Sequence, residues 1–66
     1  MRKVEVGLHY QETSAPLTIW EVVEETSGPG GIRHLRIHKL DDPTTIKLIS
    51  ERTLADAKLY RLIERQ

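Results

Sequence analysis

Two clusters of turn-forming residues divide this chain into short segments in which apolar side chains recur at every second position. Residues 26–31 read Thr-Ser-Gly-Pro-Gly-Gly, and residues 41–44 read Asp-Asp-Pro-Thr. Glycine tolerates positive φ angles and proline restricts φ, so both clusters predict tight reversals of the chain. A chain that reverses at both places and alternates apolar with polar residues is expected to form antiparallel β-strands.

We predict four successive strands, over residues 4–10, 17–25, 32–40 and 45–50. Apolar residues fall at positions 4, 6, 8 and 10 of the first strand, which places them on one face. The second strand changes phase between Ile19 and Trp20 and again at Val22 and Val23, which predicts a bulge, a bend or burial on both faces. Four strands in succession predict an antiparallel meander.

The third and fourth predicted strands alternate more regularly. In the third strand, Leu35 and Ile37 point to one side. The other side carries a basic stripe that consists of His34, Arg36 and His38. In the fourth strand, Ile46 and Leu48 share one side. This period of two is typical of strands with one face on a core.

The segment after residue 50 supports two different structures. Residues 51–65 contain no Gly or Pro, and Ala55, Leu59 and Leu62 share one helical face, which favours an α-helix. A meander of four strands, however, leaves two open edges, and a further strand over residues 58–63 would help to close a barrel. We therefore predict a mainly β fold, a small five-stranded antiparallel barrel with a short 3₁₀ turn near residues 51–56. The alternative is a four-stranded meander with a C-terminal helix over residues 51–65.

Length and composition exclude several classes of protein. A chain of 66 residues allows one small domain, residues 1–66, with a modest core. Ten Lys and Arg balance ten Asp and Glu, so the chain lacks the basic field of a DNA-wrapping protein. The absence of cysteine excludes disulfides and thiolate sites and favours a reducing, cytoplasmic location. No apolar run approaches the ~18 residues that span a bilayer, so we expect no membrane association.

Spaced signals along most of the chain follow a recognisable order. They are Trp20-Glu21-Val22, the glycine-rich hairpin, His34 with Leu35, Asp42-Pro43, residues 47–50, Leu54 with Asp56, and Tyr60. This order resembles that of the small SH3-like and Tudor-like barrels, and of short bacterial proteins of that shape with no assigned function. The resemblance implies a five-stranded barrel in which a 3₁₀ turn precedes the last strand. The chain lacks the acidic loop and the aromatic pairs with which SH3 domains grip proline-rich peptides, so that activity is not implied.

The basic stripe on the third strand has two interpretations. Its side chains follow one another at steps of roughly 6.8 Å and could meet a phosphate backbone. The alternative is a cross-strand charge ladder, because the neighbouring strand supplies Glu21, Glu24 and Glu25. In the nucleic-acid interpretation, Arg33 extends the stripe and Tyr10 or Tyr60 stacks on bases. Trp20 is expected in the core, as its largest side chain.

Neither a metal site nor a catalytic site is predicted. His34 and His38 would lie about 13 Å apart on an extended strand, too far to share an ion. No strand-turn-helix elbow positions a serine, and a domain of this size rarely encloses the cleft of about 300 Å³ that a small substrate needs. We therefore expect no catalytic residues, no metal and no cofactor.

These patterns predict a non-enzymatic interaction module. An incompletely closed sheet leaves an edge that can pair with another strand, so we expect binding to another protein or to a second copy of the chain. The predicted contact surface is the sheet of the second and third strands with its glycine-rich hairpin. The alternative function is weak binding of RNA or single-stranded nucleic acid through the His and Arg side chains of the third strand.

Overall fold

A computed structural model of the chain describes residues 4–63. Five antiparallel strands form one sheet: β1 (His9–Glu12), β2 (Ala15–Ser27), β3 (Arg33–Lys39), β4 (Asp42–Ser50) and β5 (Tyr60–Ile63). Their order across the sheet is β4-β3-β2-β1-β5, so β4 and β5 are the two edges. The predicted mainly β class, the meander and the fifth strand are confirmed. Within the described part of the chain, no helix has the length and apolar character needed to cross a membrane.

The long central strand β2 carries the predicted irregularity. In its register with β3, Val22 lies opposite Ile37 and Glu24 opposite Arg36, so Val23 is an extra residue on β2. A bulge of this kind bends the strand and increases its twist. The register partners of β1 lie between Ala15 and Glu21 and those of β3 between Trp20 and Ser27, so the bulge falls in the part of β2 that faces β3.

The glycine-rich segment closes the β2–β3 hairpin, as predicted. Pro29–Gly31 forms a 3₁₀ turn, and Gly30 and Gly31 both have positive φ angles, 71° and 75°. The Gly28 N–H donates a hydrogen bond to the Ile32 carbonyl at 2.7 Å and ties the base of the loop. Side chains with a Cβ rarely adopt such φ angles, which explains why two glycines occupy the tip.

The first predicted strand is wrong over residues 4–8. Gly7 has a φ angle of 95° and lies in a turn, so β1 begins only at His9. The Gly7 N–H donates to the Val22 carbonyl at 2.8 Å, and this bond holds the turn against β2. Val4 is buried, whereas Val6 is exposed. The alternating pattern therefore reflects burial on either side of a turn and not one continuous strand.

Residues 51–63 form a short turn and a strand, as predicted, and the alternative of a C-terminal helix is wrong for the described residues. One α-helical turn, α1 (Glu51–Leu54), stands where a 3₁₀ turn was expected. The Ser50 hydroxyl caps this turn by accepting a hydrogen bond from the Thr53 N–H. β5 then pairs antiparallel with β1, with Tyr60 opposite Glu12. Helix propensity is a weak preference that this pairing overrides.

The core draws its buried side chains from the segment before β1, from α1 and from every strand except β4, which contributes only the partly buried Ile49. Its buried side chains are Val4, Tyr10, Trp20, Val22, Leu35, Ile37, Leu54 and Tyr60. The expected core position of Trp20 is thus confirmed, and Leu35 and Ile37 share the inner side of β3 as predicted. The sheet remains open, because the edges β4 and β5 are not paired with each other. Lys47 on β4 spans the opening, with its Nζ 3.4 Å from the Tyr60 hydroxyl.

Candidate interaction surface

The outer face of the sheet, opposite the core, holds most of the residues that the sequence singled out. Since Leu35 and Ile37 point into the core, the alternate residues of β3 lie on the outer face. These alternate residues are His34, Arg36 and His38, the predicted basic stripe.

Carboxylates from β2 pair with the basic residues of β3. The Arg36 Nη1 atom lies 3.1 Å from Glu24 Oε1, and His38 Nε2 lies 2.9 Å from Glu21 Oε1. These contacts confirm the cross-strand charge ladder. A phosphate group that approached the stripe would have to compete with carboxylates that are already in place.

Glu21 lies at the centre of this ladder. It faces His38 on β3 and His9 on β1, whose Nε2 is 3.7 Å from the second carboxylate oxygen. The hydrogen bond from His38 is the main cause that lowers the pKa of Glu21, and partial desolvation opposes it. The carboxylate is therefore held in its ionised form between two imidazoles. Sequence analysis missed His9, because only the β1–β2 register brings it beside Glu21.

Arg33 does not extend the stripe. Its guanidinium contacts Glu25 on β2 and, at 2.5 Å, the carboxylate of Glu51 in α1. The hydrogen bond with Glu25 is the main cause that raises the pKa of Arg33. This arginine connects β3 to its neighbours on β2 and α1.

His34 is the member of the stripe that faces no carboxylate among the described residues. Its Nδ1 lies 2.9 Å from the Ile32 carbonyl oxygen, and its ring packs closely against Gly28. A shallow cleft of about 300 Å³ beside it is lined by Ile32, Ser50 and Arg52. The ring is thus held at the base of the hairpin.

The two tyrosines proposed for base stacking are buried. Tyr10 and Tyr60 are only 5% and 8% exposed and belong to the core. Stacking on a base would require either ring to leave its packed position. The structure therefore separates these rings from the basic stripe, which lies on the opposite face of the sheet.

The edge strand β4 exposes two adjacent apolar side chains beside the charge ladder. Ile46 and Leu48 are each 59% exposed, and they lie opposite His38 and Arg36 in the β3–β4 register. Among the described strands β4 pairs with β3 alone, so its second side presents backbone groups to solvent. An open edge was predicted from the sequence, but the predicted contact surface lay on the second and third strands with their hairpin and not on β4.

Lys47 points to the inner side of the same strand. Its Nζ lies 4.7 Å from the centre of the Trp20 ring, a cation–π contact. The ammonium group is thus directed toward the core of its own domain. Within residues 4–63, no set of three or more His, Asp or Glu side chains is placed to hold a metal ion.

Comparison of the chain with protein-family models, with curated proteins and with solved structures finds no match.

Proposed function

We propose that this chain is a non-enzymatic interaction module that accepts an extended polypeptide along the edge of β4. The observation that carries the proposal is the exposed pair Ile46 and Leu48 on a nine-residue edge strand. An added strand would hydrogen-bond to the backbone of β4 and cover both side chains. Backbone bonds would supply affinity, and the alternate side chains would supply specificity.

The architecture supports the same proposal. The strand order β4-β3-β2-β1-β5 and the single helical turn before β5 are features expected of an SH3-like domain. We propose that the chain is related to SH3-like domains. We also propose a cytoplasmic location, which the absence of cysteine favours.

Nucleic-acid binding is the weaker candidate. Arg36 and His38 already contact glutamates of β2, and Arg33 contacts Glu25 and Glu51. Counterion release, which drives most nucleic-acid binding, needs cations that can meet phosphates. The interaction therefore stays a prediction with no geometric observation in its favour.

A displayed library of random heptapeptides tests strand addition. We expect peptides with alternating apolar residues to be enriched on the wild-type protein and to bind with dissociation constants of about 10–1,000 µM, because one added strand buries little area. Amide chemical shifts should move along β4. The matched control is Ile46→Thr/Leu48→Thr, which keeps strand propensity and removes the apolar pair. Equal enrichment on the control, or shifts confined to other strands, would reject the proposal.

A further inference from the structure

The two ends of the β4 edge carry side chains of opposite charge. Asp41 and Asp42 lie at its beginning, and Arg52 follows its end in α1. The Thr44 and Thr45 hydroxyls hydrogen-bond to the Asp42 carboxylate and lower its pKa, so this end carries a negative charge. Arg52 is exposed and forms no ion pair with any residue from 4 to 63. Lys39 lies opposite Asp42 in the β3–β4 register, and Glu51 is ion-paired with Arg33. Asp41 therefore leaves an excess negative charge at one end of the edge, and Arg52 leaves an excess positive charge at the other.

We propose that the occupant of the β4 edge is a second copy of this chain, paired antiparallel about Leu48. This inference rests on the proposed function and names its partner. A two-fold axis perpendicular to the sheet pairs the two strands antiparallel and keeps both outer faces on one side. The acidic end of each β4 then lies beside the basic end of the other.

An axis at Leu48 is favoured because it is the middle of the regular part of β4. Ile46 to Ser50 pair residue by residue with β3, whereas the register shifts before Ile46. With this axis Leu48 lies opposite its own copy, and Ile46 lies diagonally across from Leu48 of the other copy. The four exposed apolar side chains of the two outer faces then form one cluster.

The same axis places opposite charges near each other and keeps like charges apart. The Asp41 and Asp42 end of each β4 comes near α1 of the second copy, which directly follows β4 and carries Arg52. Lys47 comes opposite Ile49, so the two ammonium groups do not face each other. An axis at Lys47 would oppose two like charges and is disfavoured.

A single pair of strands is a small interface, below about 1,200 Å² in total. We therefore expect a weak, reversible dimer with a dissociation constant of about 0.1–2 mM. Sedimentation and amide chemical shifts between about 20 µM and 4 mM measure it. The shifts should change along β4 and remain constant along β5. A monomer at 4 mM, or concentration-dependent shifts centred away from β4, overturns the proposal.

Charge exchange tests the orientation of the pair. Asp42→Lys alone and Arg52→Glu alone each place like charges together twice per dimer, so each should weaken association by about 3-fold to 10-fold. An equimolar mixture of the two variants restores both attractive contacts in the heterodimer and should associate as tightly as the wild type. Unrestored association in the mixture contradicts the antiparallel arrangement.

Asp42→Lys removes the hydrogen bonds from the two threonines, and this variant could fail to fold. A measurement on the wild-type protein tests the register without any substitution. Isotope-filtered NOEs in a mixture of labelled and unlabelled wild-type protein should join the Leu48 methyl groups of the two copies. A dimer without that contact overturns the register. If the wild-type protein stays monomeric and still selects β4-binding peptides, the proposal of a second copy is rejected and the proposed function is retained. If the protein neither dimerises nor selects β4-binding peptides, both the second copy and the proposed function are rejected.

Discussion

At the scale of single residues, Glu21 acquires partners from both neighbouring strands. Its carboxylate is hydrogen-bonded to His38 on β3 and lies near His9 on β1. The side chain is about one-third exposed, so solvent screens these contacts and their joint contribution to stability stays below about 1 kcal/mol. The central position of Glu21 still links three strands through one ionised group.

Replacement of Glu21 by Gln should make stability less dependent on pH. The pKa of Glu21 is lowered in the folded chain from an ordinary value of 4.5. The carboxylate therefore stabilises the fold above pH 4.5 and loses this contribution as the pH falls through its folded pKa. Urea unfolding should show wild type more stable than Glu21→Gln at pH 7, with a difference that shrinks below pH 4.5.

The control for this prediction is Glu5→Gln. Glu5 is exposed, and its side chain forms no ion pair with the described residues. This variant should follow the wild-type dependence on pH. A constant difference between Glu21→Gln and wild type from pH 7 to pH 3 would contradict the linkage.

At the scale of elements, the β2–β3 hairpin depends on close packing between its loop and its strand. Gly28 has a φ angle of −96°, which any residue can adopt, so its backbone does not require glycine. A Cβ at position 28 would lie 2.2 Å from the His34 Nδ1 atom. The position is therefore restricted by the imidazole ring and not by the conformation of the chain.

Gly28→Ala should destabilise the protein by about 1 kcal/mol, because the ring must move and lose its bond to the Ile32 carbonyl. In the background of His34→Ala the same substitution should be close to neutral. Urea unfolding of the four proteins of this double-mutant cycle measures the coupling. Additive effects of the two substitutions would show that the ring does not restrict position 28.

At the scale of the whole molecule, Lys47 joins the two edges of the open sheet. Its ammonium group lies over Trp20 of β2 and is within 3.4 Å of the Tyr60 hydroxyl on β5. An inward-pointing charge on an edge strand also discourages unspecific pairing with other chains. We therefore expect this one side chain to contribute both to stability and to selectivity at this edge.

Lys47→Met should destabilise the protein by about 0.5–1 kcal/mol, since the stem is retained while the cation–π contact is lost. Lys47→Arg keeps a cation over the ring and should retain most of the stability. Tryptophan fluorescence during urea unfolding measures the stability of both variants. A protein concentration of about 5 µM excludes association. Equal stability of all three proteins would mean that the contact contributes nothing.

The sequence by itself determined the elements whose signals are local. The glycine-rich cluster located the β2–β3 hairpin, and the alternation in β3 assigned Leu35 and Ile37 to the core. The phase change at Val22 and Val23 predicted an irregularity, which the structure shows to be a bulge. Each depends on residues close to one another in the chain, because φ angles and the period of a strand are local properties.

Only the tertiary structure decided the features that depend on distant strands. Residues 58–63 could form a helix or a strand until pairing with β1 selected the strand, and Gly7 ended the alternation of the first segment in a turn. The position of Glu21 between two histidines follows from two registers at once. Ile46 and Leu48 read as ordinary strand residues, and they are exposed because β4 lies at an edge and its outer face is uncovered. Register and coverage arise from contacts between segments far apart in the chain, which a local pattern does not contain.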